Sequence, residues 1–356
     1  MGLIRVILAL SVIGAHYHIQ PRLGFAGPVV AVKFFYIISG FYIALILQEK
    51  NYLSIKNFYI SRYLRLYPIY IIFSLACAVG NFGNTVYGRN FISDDLPFFP
   101  SLIIFLSNIL IIGQDILFFL GIDGETLKFV SNYNNSNPYP IYKYMYSPGG
   151  FSIAIEIIFY LIAPFLFYKK NYLVIILLII LSLLLRIYLI SIGLKGDPWS
   201  SRLFFNEFAF FLLGGLGYNI YRDKIIYISN LFYRKLIFVI FIFILLFYCN
   251  FQNVEIIEGT YIFLNDIFMF VFFTIFIGIF FDLFKNNRND RILGEISYPI
   301  YCSHIVIIGI TKVFGIMSEI SYVNTVILFI TTMIVSYFAY IIIQKPVDEL
   351  RSKLKY

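Results

Sequence analysis

Charge is what this 356-residue sequence has least of: Asp, Glu, Lys and Arg make up 13% of it, against 60% hydrophobic residues. A globular protein carries roughly 25% charge, and so thin a supply cannot cover a surface while 41 Phe and 30 Tyr are hidden beneath it. A soluble fold is excluded, and the medium around the chain is lipid. Cysteine is as scarce. Cys77, Cys249 and Cys302 are odd in number and share no paired spacing, so neither a disulfide framework nor a zinc site is implied, and the chemistry is expected to use no metal and no permanently bound cofactor. Long polar stretches are missing too. With roughly 20 apolar residues needed per bilayer crossing, the chain has no room for a soluble catalytic domain.

What is present is a series of eleven apolar stretches, near residues 3–20, 29–48, 63–80, 101–120, 150–167, 172–192, 203–220, 235–250, 261–282, 296–314 and 324–344. With the N-terminus inside, Arg5 and the segments 49–65, 168–171, 221–235, 285–291 and 345–355 are cytoplasmic and hold 18 of the 27 Lys and Arg, as the positive-inside rule requires. Both termini inside demand an even number of crossings. The stretch 101–120, interrupted by Gln114 and Asp115, is therefore expected to be re-entrant or to lie on the outer side, which is tolerated only where protein or a water-filled cavity covers the backbone. The expectation is an all-α polytopic membrane protein of about ten transmembrane helices with both termini cytoplasmic. Residues 1–345 form one membrane domain, and 346–356 a short basic cytoplasmic tail.

Ionisable groups inside spans are costly, and for that reason they are functional candidates. Arg5 and His16 stand eleven residues apart in the first span, which puts them on one helical face with a rise of roughly 16 Å. They can meet two ends of one long ligand, or Arg5 simply snorkels to headgroups while His16 makes one buried hydrogen bond. Arg62 and Arg65 open the third span on one face at the inner surface, where two guanidiniums suit the phosphates of a soluble cytoplasmic donor. Ordinary anchoring is the competing account. Glu156 lies roughly 9 Å into its span and His16 roughly 6 Å below its own outer end. At matching depth they suit a general base and its orienting partner. The alternative is a structural Glu156 paired with Arg186 or Arg202.

These segments together resemble the acyltransferase-3 family of integral membrane acyltransferases. Five motifs carry the resemblance, in the family's order: RVILALSVIGAH from Arg5 to His16; FFYIISGF with Phe34, Phe35, Ser39 and Gly40; SRYLRLYP with Arg62, Arg65, Tyr67 and Pro68; FSIAIEIIFYLIAP with Ser152, Glu156, Phe159, Tyr160 and Pro164; and GEISYPIYCSH with Ser297, Tyr298, Tyr301 and His304. Phe151 stands where the family has Trp, Cys302-Ser303 replaces a Leu-Trp-like pair, and Gln344-Lys345-Pro346 replaces Glu-Arg-Pro. The expectation is the stand-alone form of the family, without a hydrolase-like extension.

The resemblance implies an enzyme of the bacterial inner membrane that takes an acyl group, most often acetyl, from cytoplasmic acetyl-CoA. It delivers the group to a hydroxyl of an extracytoplasmic glycan such as O-antigen lipopolysaccharide or capsule. Arg5, Arg62 and Arg65 are expected to bind the donor, and His16 to deprotonate the sugar hydroxyl. Glu156 would set the His16 tautomer, and Ser152 or Tyr160 would donate to the developing oxyanion. His304 is either a second cavity residue that meets substrate or a packing histidine, and His18 is read as a surface group. Loop 121–149, with Tyr133 and Tyr139 among many Asn and Tyr, is expected to contribute to the acceptor site by ring stacking, or else is a solvated loop. The competing function is a surface-polysaccharide polymerase or a lipid-linked-sugar flippase. A polymerase would not need a cytoplasmic phosphate clamp, and a flippase would need a continuous cationic path.

Overall fold

The computed structural model describes residues 1–16, 26–49, 52, 54–82, 96–134, 137–147, 149–169, 171–247, 264–315 and 322–354. Its α-helices are, in chain order, α1 Gly2–His16, α2 Pro28–Gln48, α3 Ile55–Val79, α4 Phe98–Leu110, α5 Gly150–Phe167, α6 Tyr172–Ser191, α7 Phe204–Arg222, α8 Leu231–Phe247, α9 Leu264–Phe284, α10 Arg288–Val313, α11 Tyr322–Ala339 and, after a π-turn at Tyr340–Gln344, α12 Lys345–Ser352. A helix occupies each of the ten expected spans. Seven of the helices are long and apolar enough to cross a bilayer, whereas α1 and α4 are shorter apolar helices. The protein is a multi-pass all-α membrane protein, since helices satisfy their backbone groups internally and lipid offers no other partner.

Helix α4 has only 13 residues, a rise of about 20 Å against a hydrocarbon core of roughly 30 Å. The stretch breaks at Ile111 and Gly113, both in the left-handed region at φ 69° and 81°. The chain then forms a 3₁₀ turn, Ile116–Phe119, and a small antiparallel sheet absent from the expectation for loop 121–149. Its strands are β1 Leu120–Asp123, β2 Thr126–Phe129 and β3 Tyr139–Pro140, in the order β2-β1-β3. Protein covers this backbone: Tyr70 Oη donates to the Asn108 carbonyl at 2.8 Å, and the Asn108 side chain bonds the backbone of Tyr144 and Tyr146.

Glycine sets the closest helix contacts. A Cβ at Gly40 would stand 1.9 Å from the Phe211 carbonyl oxygen, one at Gly214 1.9 Å from that of Ile37, and one at Gly2 1.8 Å from that of Asp290. Helices α2 and α7, and likewise α1 and α10, thus touch backbone to backbone, the device by which membrane helices gain packing without a hydrophobic driving force. Outward faces are apolar, as along α6 with Leu173, Leu177, Ile180, Leu184 and Ile187 exposed. At one end of the bundle the contacts are basic. Gln48 joins Asn219 at 2.7 Å and Arg222, while Arg351 Nε donates to the Ser61 carbonyl at 2.8 Å. The segment expected as a basic tail is therefore helix α12 from Lys345 to Ser352, docked on α3. At the opposite end the contacts are largely aromatic, with the Arg202 guanidinium 3.6 Å from the Phe151 ring centre and 4.4 Å from that of Phe118. Phe151 thus offers its ring face to a cation.

Candidate functional site

A cavity of about 580 Å³ opens between these ends, lined by α1, α2, α3, α5 and α10, with residues of α9 and α12 at the basic mouth. Arg5, Arg62 and Arg65 all line it, so the three expected donor-binding residues share one surface, with Arg291 and Arg351 beside them. Sequence reasoning missed the last two, together with Glu295 and Asp348, which interleave them with carboxylates. Arg65 lies 3.8 Å from Glu295 with both side chains about a quarter exposed. Arg62 is held more firmly, donating to Tyr52 Oη at 2.7 Å with its guanidinium 5.8 and 5.9 Å from the Tyr52 and Phe58 ring centres. Arg5 passes over Gly294 and lies within electrostatic reach of Arg65, Glu295 and Glu156. The Nε atoms of Arg5 and Arg62 are buried without a partner among the described residues. Such atoms are donors in reserve for an anion.

Deeper in, Glu156 accepts from Ser39 Oγ at 2.5 Å and from Tyr160 Oη. Tyr160 is one helical turn along α5 and Ser39 faces it from α2, so local geometry engages the carboxylate. The structural pairings weighed for Glu156 go to other residues: Arg186 Nη2 bonds Glu207 at 3.0 Å, and Arg202 bonds Asp197 at 3.0 Å. The ring beside His16 is that of His304, with centroids 5.2 Å apart.

Ser152, Tyr301 and Tyr36 close the cavity at its far end. Ser152 Oγ and Tyr301 Oη lie 2.6 Å apart and stand 2.8 and 3.2 Å from the Gly149 carbonyl, so one hydroxyl donates to that carbonyl and the other to its neighbour. The hydroxyls expected to serve an oxyanion, those of Ser152 and Tyr160, thus already have acceptors. Tyr36 is different: 2% exposed and lining the cavity, its hydroxyl has no partner among the described residues. Its position one turn before Ser39 on α2 was the available signal. Behind this wall stand the histidines. His304, 1% exposed, places Nδ1 2.7 Å from the Tyr301 carbonyl oxygen, and its ring centre is 6.0 Å from that of Tyr301. His18 falls outside the described residues.

Tyr133 and Tyr139 lie in the layer around the small sheet, away from the cavity lining. Tyr133 Oη donates to Asp197 at 2.7 Å and so ties loop 130–134 to the turn before α7, while the Tyr139 ring carries the Lys143 ammonium at 5.0 Å. Burial works against the Asp197 charge, but Arg202, Ser201 and Tyr133 outweigh it and hold the carboxyl below its usual range. In the turn after α4, burial pushes the Asp115 carboxyl up to about 6. A second charged cluster lies outside the cavity. Glu207 takes Arg186 at 3.0 Å and Lys33 at 3.5 Å, all three nearly or fully buried, with Asp266 nearby.

A family model described as an acyltransferase domain matches residues 1–342 of the chain. No curated protein and no solved structure matches it.

Proposed function

Because the chain belongs to the acyltransferase-3 family, we propose that this cavity transfers a short acyl group, acetyl first among them, from cytoplasmic acyl-coenzyme A to a hydroxyl of a cell-surface glycan. The observation that carries the reading is the polarity of one cavity, which has five arginines at its mouth and hydroxyls at its far end, with an imidazole pair just behind. Phosphates of the donor sit among Arg62, Arg65 and Arg5, where bidentate guanidinium contacts give both charge and register. The pantetheine arm then runs inward past Ser39 and Tyr160 and brings the thioester to the wall of Ser152, Tyr301 and Tyr36. His16 removes the proton of the attacking hydroxyl, a step that typically contributes 10²–10⁴-fold. In this reading the basic mouth faces the cytoplasm and the sheet faces outward, both termini are inside, and the acceptor is a glycan such as O-antigen or capsule in the bacterial inner-membrane pathway. A flippase fits less well. Its cationic path would have to continue through the bundle, whereas the cavity's arginines gather at one mouth.

The test compares ester-linked acetate on purified surface glycan from cells lacking the protein and complemented with wild type or His16→Ala at equal membrane levels. Acetate restored by wild type alone is expected. Equal acetate in all strains overturns the reading, as does coenzyme A binding that survives Arg62→Ala/Arg65→Ala.

A further inference from the structure

We propose that His304 is the positioning residue for His16, so that the base of this site is an imidazole pair rather than an imidazole with a carboxylate. The inference rests on the acyl-transfer reading and assigns one more role within it. Four observations lead to it.

First, the two ring centres are 5.2 Å apart with planes tilted by 40°, a spacing at which facing ring nitrogens reach hydrogen-bond separation. Second, the tautomer of His304 follows from its partner. A backbone carbonyl only accepts, so the 2.7 Å contact between Nδ1 and the Tyr301 oxygen places the proton on Nδ1 and leaves Nε2 as a lone pair. Third, that lone pair is buried and has no partner among the described residues. Buried acceptors are rarely left so, and the ring beside this one is that of His16. Fourth, Glu156, the carboxylate that could have done this work, is engaged by Ser39 and Tyr160.

The anchoring runs further back. Tyr301, whose carbonyl orients His304, is itself fixed through its hydroxyl to Ser152 and the Gly149 carbonyl. With one His16 nitrogen donating to His304 Nε2, the other presents its lone pair to the acceptor hydroxyl. As the hydroxyl oxygen attacks the thioester carbonyl carbon, its proton passes to His16. The tetrahedral species then collapses, the carbon–sulfur bond breaks, and the thiolate leaves with that proton as coenzyme A. His304 stays neutral throughout and stabilises the transient imidazolium by accepting its N–H.

The test uses two polar variants of the full-length protein in membranes. In His304→Asn the amide can still donate to the Tyr301 carbonyl but nothing occupies the Nε2 position, whereas His304→Gln places an amide oxygen there. With melting temperatures near wild type, His304→Asn should lose about 100-fold in kcat, the lower end of what a positioned base contributes, with KM for acetyl-coenzyme A unchanged. His304→Gln should stay within about tenfold of wild type. An Asn variant with wild-type kcat overturns the pairing, and so does a Gln variant that falls as far as Asn. Should the Asn variant fail to fold, a hundredfold loss in a folded Gln variant overturns the pairing by itself, and retention within tenfold supports it. A wild type that transfers no acyl group overturns the function and the pairing together, whereas a transferring wild type beside an equally active Asn variant overturns the pairing alone.

Discussion

Replacing Glu207 by Gln should destabilise this protein more than removing any single exposed charge, and the structure supplies the magnitude. Glu207 is 1% exposed and lies 3.0 Å from Arg186 and 3.5 Å from Lys33, themselves 7% and 2% exposed. With Asp266 the cluster is balanced, two cations against two carboxylates, and Gln leaves a surplus positive charge where no water can reach it. Breaking a buried pair in this way costs about 3–5 kcal/mol. Unfolding entropy of about 2 cal/mol/K per residue over this chain length converts that into a fall in melting temperature of about 5 °C. Cys77 and Cys302 are free and buried, so a thiol-reactive dye reports the transition in detergent. The double variant Glu207→Gln/Lys33→Met should recover more than half of the loss, because it removes the surplus cation. A shift below about 1 °C for Glu207→Gln, or strictly additive effects in the double variant, would refute the balance argument.

Gly40→Ala should cost about 3 kcal/mol, the upper end of the usual overpacking range, and lower membrane yield, because its Cβ meets a backbone carbonyl at 1.9 Å rather than a movable side chain; a normal melting temperature would show that α2 and α7 stand further apart. Asp115→Asn should stabilise the protein by up to about 3 kcal/mol at pH 7. A carboxyl raised to about 6 from 3.8 disfavours the folded state increasingly as pH rises between those values, so the variant should flatten the fall in stability from pH 4 to 6, and parallel curves would count against it. Asp197 works with the opposite sign: its carboxyl is depressed, so its contribution is complete above the ordinary value of 3.8 and fades as pH falls below it. Tyr133→Phe, which removes a hydrogen bond to that carboxylate, should cost about 1.5–3 kcal/mol, read as earlier melting and easier proteolysis of loop 130–134.

Helix placement was legible because lipid leaves the backbone no alternative, and the break in 101–120 showed in Gln114 and Asp115. The gathering of Arg5, Arg62 and Arg65 was legible for a related reason, since helical spacing fixes both depth and face. Depth alone does not fix direction around the helix axis, and the inferred link between Glu156 and His16 rested on depth. Ser39 and Tyr160 engage the carboxylate, and the ring of His304, distant in sequence, stands 5.2 Å from that of His16. The sheet was invisible because strands of four, four and two residues are too short to show a period. Lys33 and Tyr36 escaped notice inside an aromatic-rich motif, and Glu207 because its two cations come from other helices.

The wall of Ser152, Tyr301 and the Gly149 carbonyl also bears on what happens when no sugar is present. A base beside an activated thioester is a hydrolase waiting for water, yet His16 and His304 are absent from the cavity lining and stand behind that wall. Water that enters from the basic mouth meets hydroxyls, not imidazoles. On the proposed reading, a thioester held in this cavity is screened from the imidazoles by a Ser–Tyr pair until an acceptor enters, and idle hydrolysis is held down.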